Sequence, residues 1–170
     1  MIAIHQAISA KQLDDVRDLL RAFIEWHRER HQHEVDLVDS YFDPEEFEDE
    51  LASLPGEFAP PSGRLLLASE DDKPAGCVAL HDLGDGVCEM KRMFVYSEFH
   101  GRGIGRLLAK EVIAEAKEAG YSAMRLDTGP RQVEALGLYS KIGFKTIDPY
   151  YDPPDRLREW LIFMELDLSA

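Results

Sequence analysis

The stretch Glu89-Met90-Lys91-Arg92-Met93-Phe94-Val95 and, four residues on, His100-Gly101-Arg102-Gly103-Ile104-Gly105-Arg106 form the most chemically specific pattern in the chain. A strand-like run leads into three alternate glycines, and helix-forming residues (Leu107, Leu108, Val112) follow at once. Glycine admits positive φ and lets a ligand approach the backbone without a Cβ in the way. The first N–H groups of a helix lack intrahelical partners, and with the helix dipole they make a phosphate-binding end. Arg102 and Arg106 add positive charge there. Glu89, a lone carboxylate in an apolar run, is a candidate general base, and burial would raise its pKa. The plainer alternative is an exposed strand residue paired with Lys91 or Arg125.

Two phosphate-binding motifs do not fit. A nucleotide P-loop needs Lys-Ser/Thr after its last glycine, whereas Arg106-Leu107 stands here. A dinucleotide fingerprint needs glycine at Arg106 and a βαβ unit, whereas hairpin-like strands precede this turn. The pattern resembles instead the acyl-CoA-dependent N-acyltransferase (GNAT) superfamily, whose pyrophosphate loop reads Gln/Arg-x-x-Gly-x-Gly/Ala. His100 stands at the Gln/Arg position, and Gly103 and Gly105 match the glycines. The later Ala135-Leu136-Gly137-Leu138-Tyr139-Ser140-Lys141-Ile142-Gly143-Phe144 is similar to a second family segment. The likeness covers residues 64–168 by element order and is sharpest over 89–146.

The resemblance implies acetyl-CoA as co-substrate and no metal. It implies that backbone amides of Met93, Phe94 and Val95 hold the acetyl carbonyl and pantetheine on a bulged, splayed strand. The loop from His100 to Arg106 would hold the pyrophosphate. Gln132 stands where many members have a pantetheine-contacting Asn, and Tyr139 matches the tyrosine that protonates the leaving thiolate. Asp127 and Thr128 fall where substrates meet pantetheine, and Tyr150, Tyr151 and Asp152 fall in a loop that often covers the acceptor. The implied function is acetyl transfer to a primary amine of a small molecule or peptide, by direct attack with a Glu/water base and a Tyr acid. A non-catalytic acyl-CoA sensor or interaction module would share the loop, and homodimers are common in the superfamily.

Positioning these residues requires a particular set of elements. Strands are expected at Met1–Ile8, Arg64–Glu70, Ala75–Asp82, Val87–Val95, Ala123–Asp127, Phe144–Thr146 and Trp160–Leu168. Helices are expected over 10–30, from the cap Asp43 with Pro44 to about Leu54, over 103–119 and over 132–142. This order predicts one α+β domain over residues 1–170, with a mixed, mostly antiparallel sheet flanked by helices; the resemblance adds a splayed central strand pair. His27, His31 and His33 read as a solvated helix end rather than a metal site. Cys77 and Cys88 read as buried, reduced thiols.

The 170 residues include 33 acidic and 19 basic side chains, a net charge of −14. That balance argues against nucleic acid or an anionic membrane as partner. With no long apolar segment or leader-like start, a cytoplasmic protein is expected. The charge is uneven: residues 91–145 hold ten bases and six acids, whereas 36–57 holds nine carboxylates and no Lys or Arg. The acidic segment and the 150–155 loop would border the acceptor site and favour a cationic acceptor.

Overall fold

In the computed structural model, which describes residues 1–169, the consecutive residues Leu65, Leu66, Leu67 and Ala68 are all buried. Successive side chains of a strand point to opposite faces, so this run needs cover on both. Seven strands form the sheet: β1 (Ile2–Gln6), β2 (Arg64–Glu70), β3 (Lys73–Gly84), β4 (Val87–Val95), β5 (Ala123–Thr128), β6 (Lys145–Ile147) and β7 (Ile162–Asp167). Their order is β1-β2-β3-β4-β5-β7-β6, with β4–β5 parallel and the other pairs antiparallel. The α+β class and mostly antiparallel sheet expected from the sequence are those observed.

The helices α1 (Ala10–Arg30), α2 (Val35–Tyr41) and α3 (Pro44–Ser53) cover one face. Leu65, Leu67, Cys77 and Ala79 meet Leu19, Leu20, Val38 and Leu51 there. On the other face Leu66, Val78, Leu80, Met124 and Leu126 meet α4 (Ile104–Glu118) and α5 (Val133–Ile142). A short α6 (Asp155–Trp160) closes a smaller cluster of Leu37, Leu157, Leu161 and Phe163. Helix starts follow the sequence signals: Ser9 and Gln12 form a capping box, and Asp43 caps α3 ahead of Pro44. Cys77 and Cys88 are buried as expected, and burial pushes both thiols up to about 12.

Two elements differ from expectation. α2 and α6 have no side-chain hydrogen bond at their N-caps, so they lack the strongest start signal. α6 ends on Trp160, the first residue of the expected last strand, and β7 begins at Ile162. α2 also corrects the reading of the histidines. His27 is 4% and His31 0% exposed, because α2 and Trp160 fold over the end of α1. Their rings stack with centroids 5.6 Å apart, and burial lowers the His27 pKa to about 3.

β4 and β5 pair only from Val87 to Glu89 against Ala123 to Arg125, although β4 continues to Val95 and β5 to Thr128. Beyond that point they splay. On the β3 side Cys77 pairs with Phe94 and Ala79 with Lys91, so Arg92 and Met93 together face Val78. This is a bulge, and Arg92 sits at its turn with φ +60°. Its guanidinium is braced by two 2.9 Å hydrogen bonds to Glu50 of α3 and lies over the rings of Phe42 and Phe47. Removing one partner of a buried pair leaves an uncompensated charge, at a cost of about 3–5 kcal/mol. Glu50→Ala is therefore expected to lower Tm by roughly 10 °C. Glu48→Ala, which breaks a mostly exposed pair with Arg21 on the same helix, should cost about 1 kcal/mol or less. Equal Tm shifts for the two would remove the bulge brace from the account.

Candidate active site

The glycine turn forms as its residue types dictate. Gly101 and Gly103 take φ of +81° and +77°, which a side chain would resist, while Gly105 has ordinary helical backbone. Gly103 caps α4 without a side-chain acceptor, and the first helical bond runs from the Leu107 N–H to the Gly103 carbonyl. The N–H groups of Ile104, Gly105 and Arg106 are left without helical partners. Ile104 and Gly105 border a cavity of about 370 Å³ lined also by Met93, Phe94, Val95, His100, Gly101, Gly103 and Tyr139. Its outer wall contains Phe23, Trp26 and Arg30 of α1, which nothing in the sequence pattern had marked.

The charged residues of the turn behave differently from expectation. His100 donates through Nε2 to the Val95 carbonyl at 2.9 Å, so the ring braces the turn against β4. Arg102 is turned away to Glu70 and lies over Phe99. Arg106 points into a neighbouring groove shared with Lys110, Lys117 and Lys141. Gln132 also braces: its Oε1 accepts from the Thr128 hydroxyl at 2.7 Å and from the Gly129 N–H at 2.6 Å. Thr128 therefore spends its hydroxyl on the β5–α5 turn.

On the opposite side of the splay lies a second groove of about 500 Å³. Alternation along the strands places Glu89 and Lys91 of β4, and Arg125 and Asp127 of β5, on one face. All four line this groove, with Tyr41, Tyr150, Tyr151 and Asp152. Glu89 is 6% exposed and accepts from His81 Nε2 at 2.6 Å and from the Tyr150 hydroxyl at 2.5 Å. Asp127 accepts from the hydroxyls of Tyr41 and of Tyr151, the latter at 2.6 Å. Asp152 is exposed at the rim and paired with Arg158. The structure thus brings Asp127, Tyr150, Tyr151 and Asp152 together as expected, leaves Thr128 outside this groove, and adds Tyr41, His81 and Lys91. Lys91 was legible in principle from its period-two relation to Glu89, whereas Tyr41 lies on the unmarked helix α2.

Residues 36–57 do not supply the expected acidic border. Ser40, Tyr41, Phe42 and no carboxylate of that segment line the central cavities. Asp36 and Asp39 pair with Arg156 and Arg28, and Glu50 is taken by Arg92. The acidity of this segment is spent on bracing helices and on solvent.

A narrow space of about 50 Å³ joins the two grooves. Met93, Gln132 and Tyr139 line it and the glycine-turn cavity, while Tyr41, Lys91, Arg92 and Asp127 line it and the second groove. Tyr139 is 5% exposed, has no hydrogen-bond partner among the described residues, and burial raises its pKa. Glu89 corrects its expectation. Burial does push its pKa up, but the bonds from His81 and Tyr150 and the charge of Lys91 outweigh it, holding the carboxyl below its ordinary value. Asp127 goes the other way: burial and the nearby Glu89 charge raise it more than its two tyrosines lower it.

A splayed parallel strand pair, a glycine turn feeding a helix N-terminus, and a tyrosine at the neck between two grooves define an acyltransferase architecture. The model of the Acetyltransferase (GNAT) family matches residues 20–144. An uncharacterized N-acetyltransferase of Schizosaccharomyces pombe is 37% identical over 94% of this chain and 90% of its own length. An IAA acetyltransferase of Azospirillum brasilense is 39% identical over 65% and 71%. The PaiA N-acetyltransferase of Thermoplasma acidophilum, solved in complex with coenzyme A, superposes with a TM-score of 0.72 at 19% identity, covering 98% of this chain and 99% of that one. This chain belongs to the GNAT family of acetyltransferases.

The Asp127 shift has a thermodynamic consequence. A native state that keeps its proton to higher pH than the unfolded chain loses stability as pH rises through that interval. At neutral pH the wild type carries that cost and Asp127→Asn does not. The Tm of Asp127→Asn is expected to equal or exceed the wild-type value at neutral pH, with the advantage fading in acid where Asp127 is protonated. A Tm well below wild type at neutral pH would mean that ionised Asp127 supports the fold.

Proposed function

We propose that this protein transfers the acetyl group of acetyl-CoA to the primary amine of a small molecule or peptide by direct attack. The observation that carries this reading is the neck lined by Met93, Asp127 and Tyr139, which connects the glycine-turn cavity to the acceptor groove. The free amides at the start of α4 are suited to the pyrophosphate, and Arg106, Lys110, Lys117 and Lys141 to the phosphorylated nucleoside end. Pantetheine would run along the unpaired edge of β4 past Met93 to Val95, ending at the neck.

The chemistry follows from the placement of charge. The acceptor's ammonium is drawn by Asp127 and Glu89, and must lose a proton before its nitrogen can attack. Asp127, with its raised pKa and its place at the neck, is suited to take that proton. Glu89 lines the outer groove alone and acts through water. The amine attacks the thioester carbon, and amides of the bulged strand stabilise the tetrahedral oxyanion. The carbon–sulfur bond then breaks, and Tyr139 gives its hydroxyl proton to the departing thiolate. Burial keeps that hydroxyl protonated, so its transfer is concerted with carbon–sulfur cleavage, and the second proton of the attacking nitrogen returns to Tyr139 as the amide forms.

Thiol release from acetyl-CoA across a panel of amines is the direct test. Tyr139→Phe should lower kcat by at least about tenfold, the lower end for a lost general acid, with acetyl-CoA Kd changed by less than about twofold. Glu89→Gln should lower kcat/KM by a smaller factor. Acetyl-CoA binding without thiol release for any amine would favour a non-catalytic acyl-CoA sensor.

A further inference from the structure

The acceptor groove is lined by three cations, Lys91, Arg92 and Arg125, and three carboxylates, Glu89, Asp127 and Asp152. Five of the six are committed. Arg92 makes two hydrogen bonds to Glu50, and Arg125 Nε makes one of 2.7 Å to Glu165 with its guanidinium over the Tyr150 ring. Asp152 pairs with Arg158, Glu89 holds His81 and Tyr150, and Asp127 holds Tyr41 and Tyr151. Lys91 is the exception. Its ammonium has three N–H donors, yet the one carboxylate oxygen within 4 Å of it among the described residues is that of Glu89 at 3.8 Å, beyond hydrogen-bond length. Its side chain is 23% exposed, so the charge is partly desolvated and faces the space that an acceptor must occupy.

The surrounding donors sharpen its role. The hydroxyls of Tyr41, Tyr150 and Tyr151 all point at carboxylates, so none is free to donate to an anion. Among the lining cations, Lys91 is the one that makes no hydrogen bond to a carboxylate, whereas Arg92 and Arg125 each do. Asp127, which accepts one hydroxyl on each oxygen, keeps lone pairs for an ammonium. The two stand on opposite walls of the splay and both line the neck and the groove. They are two residues beyond Glu89 and Arg125, the last paired positions of β4 and β5. A ligand reaching from one wall to the other meets a negative group on β5 and a positive one on β4.

We infer that Lys91 forms an anion subsite and that the acceptor is an amino acid, with its ammonium on Asp127 and its carboxylate on Lys91. This inference rests on the acetyl-transfer reading and narrows it, since the ammonium alone would satisfy the acidic wall and leave Lys91 idle. The charge balance of the lined groove agrees with a zwitterion better than with a polycation, which would meet Lys91, Arg92 and Arg125 as repulsion.

The test compares amino acids with the matching amines that lack the carboxylate, for wild type, Lys91→Met, Lys91→Arg and Lys91→Glu. Wild type should favour the amino acid in kcat/KM by at least about tenfold, the weight of one charge-assisted hydrogen bond. Lys91→Met should abolish that preference mainly through KM, Lys91→Arg should restore part of it, and Lys91→Glu should reverse it toward the carboxylate-free amines. Acetyl-CoA Kd should stay within about twofold in all four. Equal or better use of the carboxylate-free amines by wild type, or a preference that survives in Lys91→Met, overturns the inference. Calorimetric titration of amino acids into the CoA-saturated protein reads the subsite without turnover. Binding that weakens in Lys91→Met supports the subsite even if thiol release, and with it the transferase reading, fails. No Lys91-dependent binding overturns it even if other amines are acetylated.

Discussion

The parallel pairing of β4 and β5 stops after Glu89 and Arg125, and every functional feature depends on that stop. If the ladder continued, the N–H groups of β4 would be consumed by β5 and the two grooves would be sealed from one another. Leaving strand backbone unpaired inside a protein is costly, so the opening must be imposed by something else. The bulge opposite Val78 turns β4, and the Arg92–Glu50 pair fixes that turn to α3. A left-handed φ at a non-glycine residue costs about 1–3 kcal/mol, a strain that two charge-assisted bonds can hold in place.

The same opening explains why so many ionisable groups lie in the middle of the fold. A strand face next to a continuous sheet would normally be apolar, yet Glu89, Lys91, Arg125 and Asp127 occupy one face around the splay. Buried charge is tolerated where partners satisfy it, and here the partners come from remote segments: Tyr41 from α2, His81 from β3, Tyr150 and Tyr151 from the segment before α6. Those residues are at once the walls of the acceptor groove and the reason its carboxylates can be buried. The two carboxylates end with opposite pKa shifts because Glu89 has an imidazole and the close lysine, whereas Asp127 has two neutral hydroxyls.

How much of this was readable from the chain differs between the two grooves. The donor side comes from a local run: strand, Gly101, Gly103, Gly105, helix, then Tyr139, all within about fifty residues and all carrying backbone signals such as positive φ and helix starts. The acceptor side is assembled from positions 41, 81, 89–91, 125–127 and 150–152, joined by packing rather than by spacing. Net charge gave a misleading guide there, since the carboxylates of residues 36–57 brace Arg28, Arg92 and Arg156. His27 and His31 were misplaced for the same reason as Tyr41: all depend on α2, seven residues long and without a capping side chain. The short helices were the elements that local signals did not specify, and they are the ones that close the acceptor side.

A division of labour between backbone and side chains follows. The glycine turn presents free backbone amides at the start of α4, a feature suited to a phosphate whatever the neighbouring side chains do. His100, Arg102 and Gln132 are thereby released to brace Val95, Glu70 and the β5–α5 turn. The second groove offers charged side chains instead, so a substitution there changes its chemistry directly. A fold built this way can keep one donor while its acceptor changes, because the donor is held by features that substitution scarcely touches. In the groove beside Asp127 the charged side chains are held mainly by one another and by tyrosines, and the ammonium of Lys91 is the cation held most loosely, 3.8 Å from Glu89.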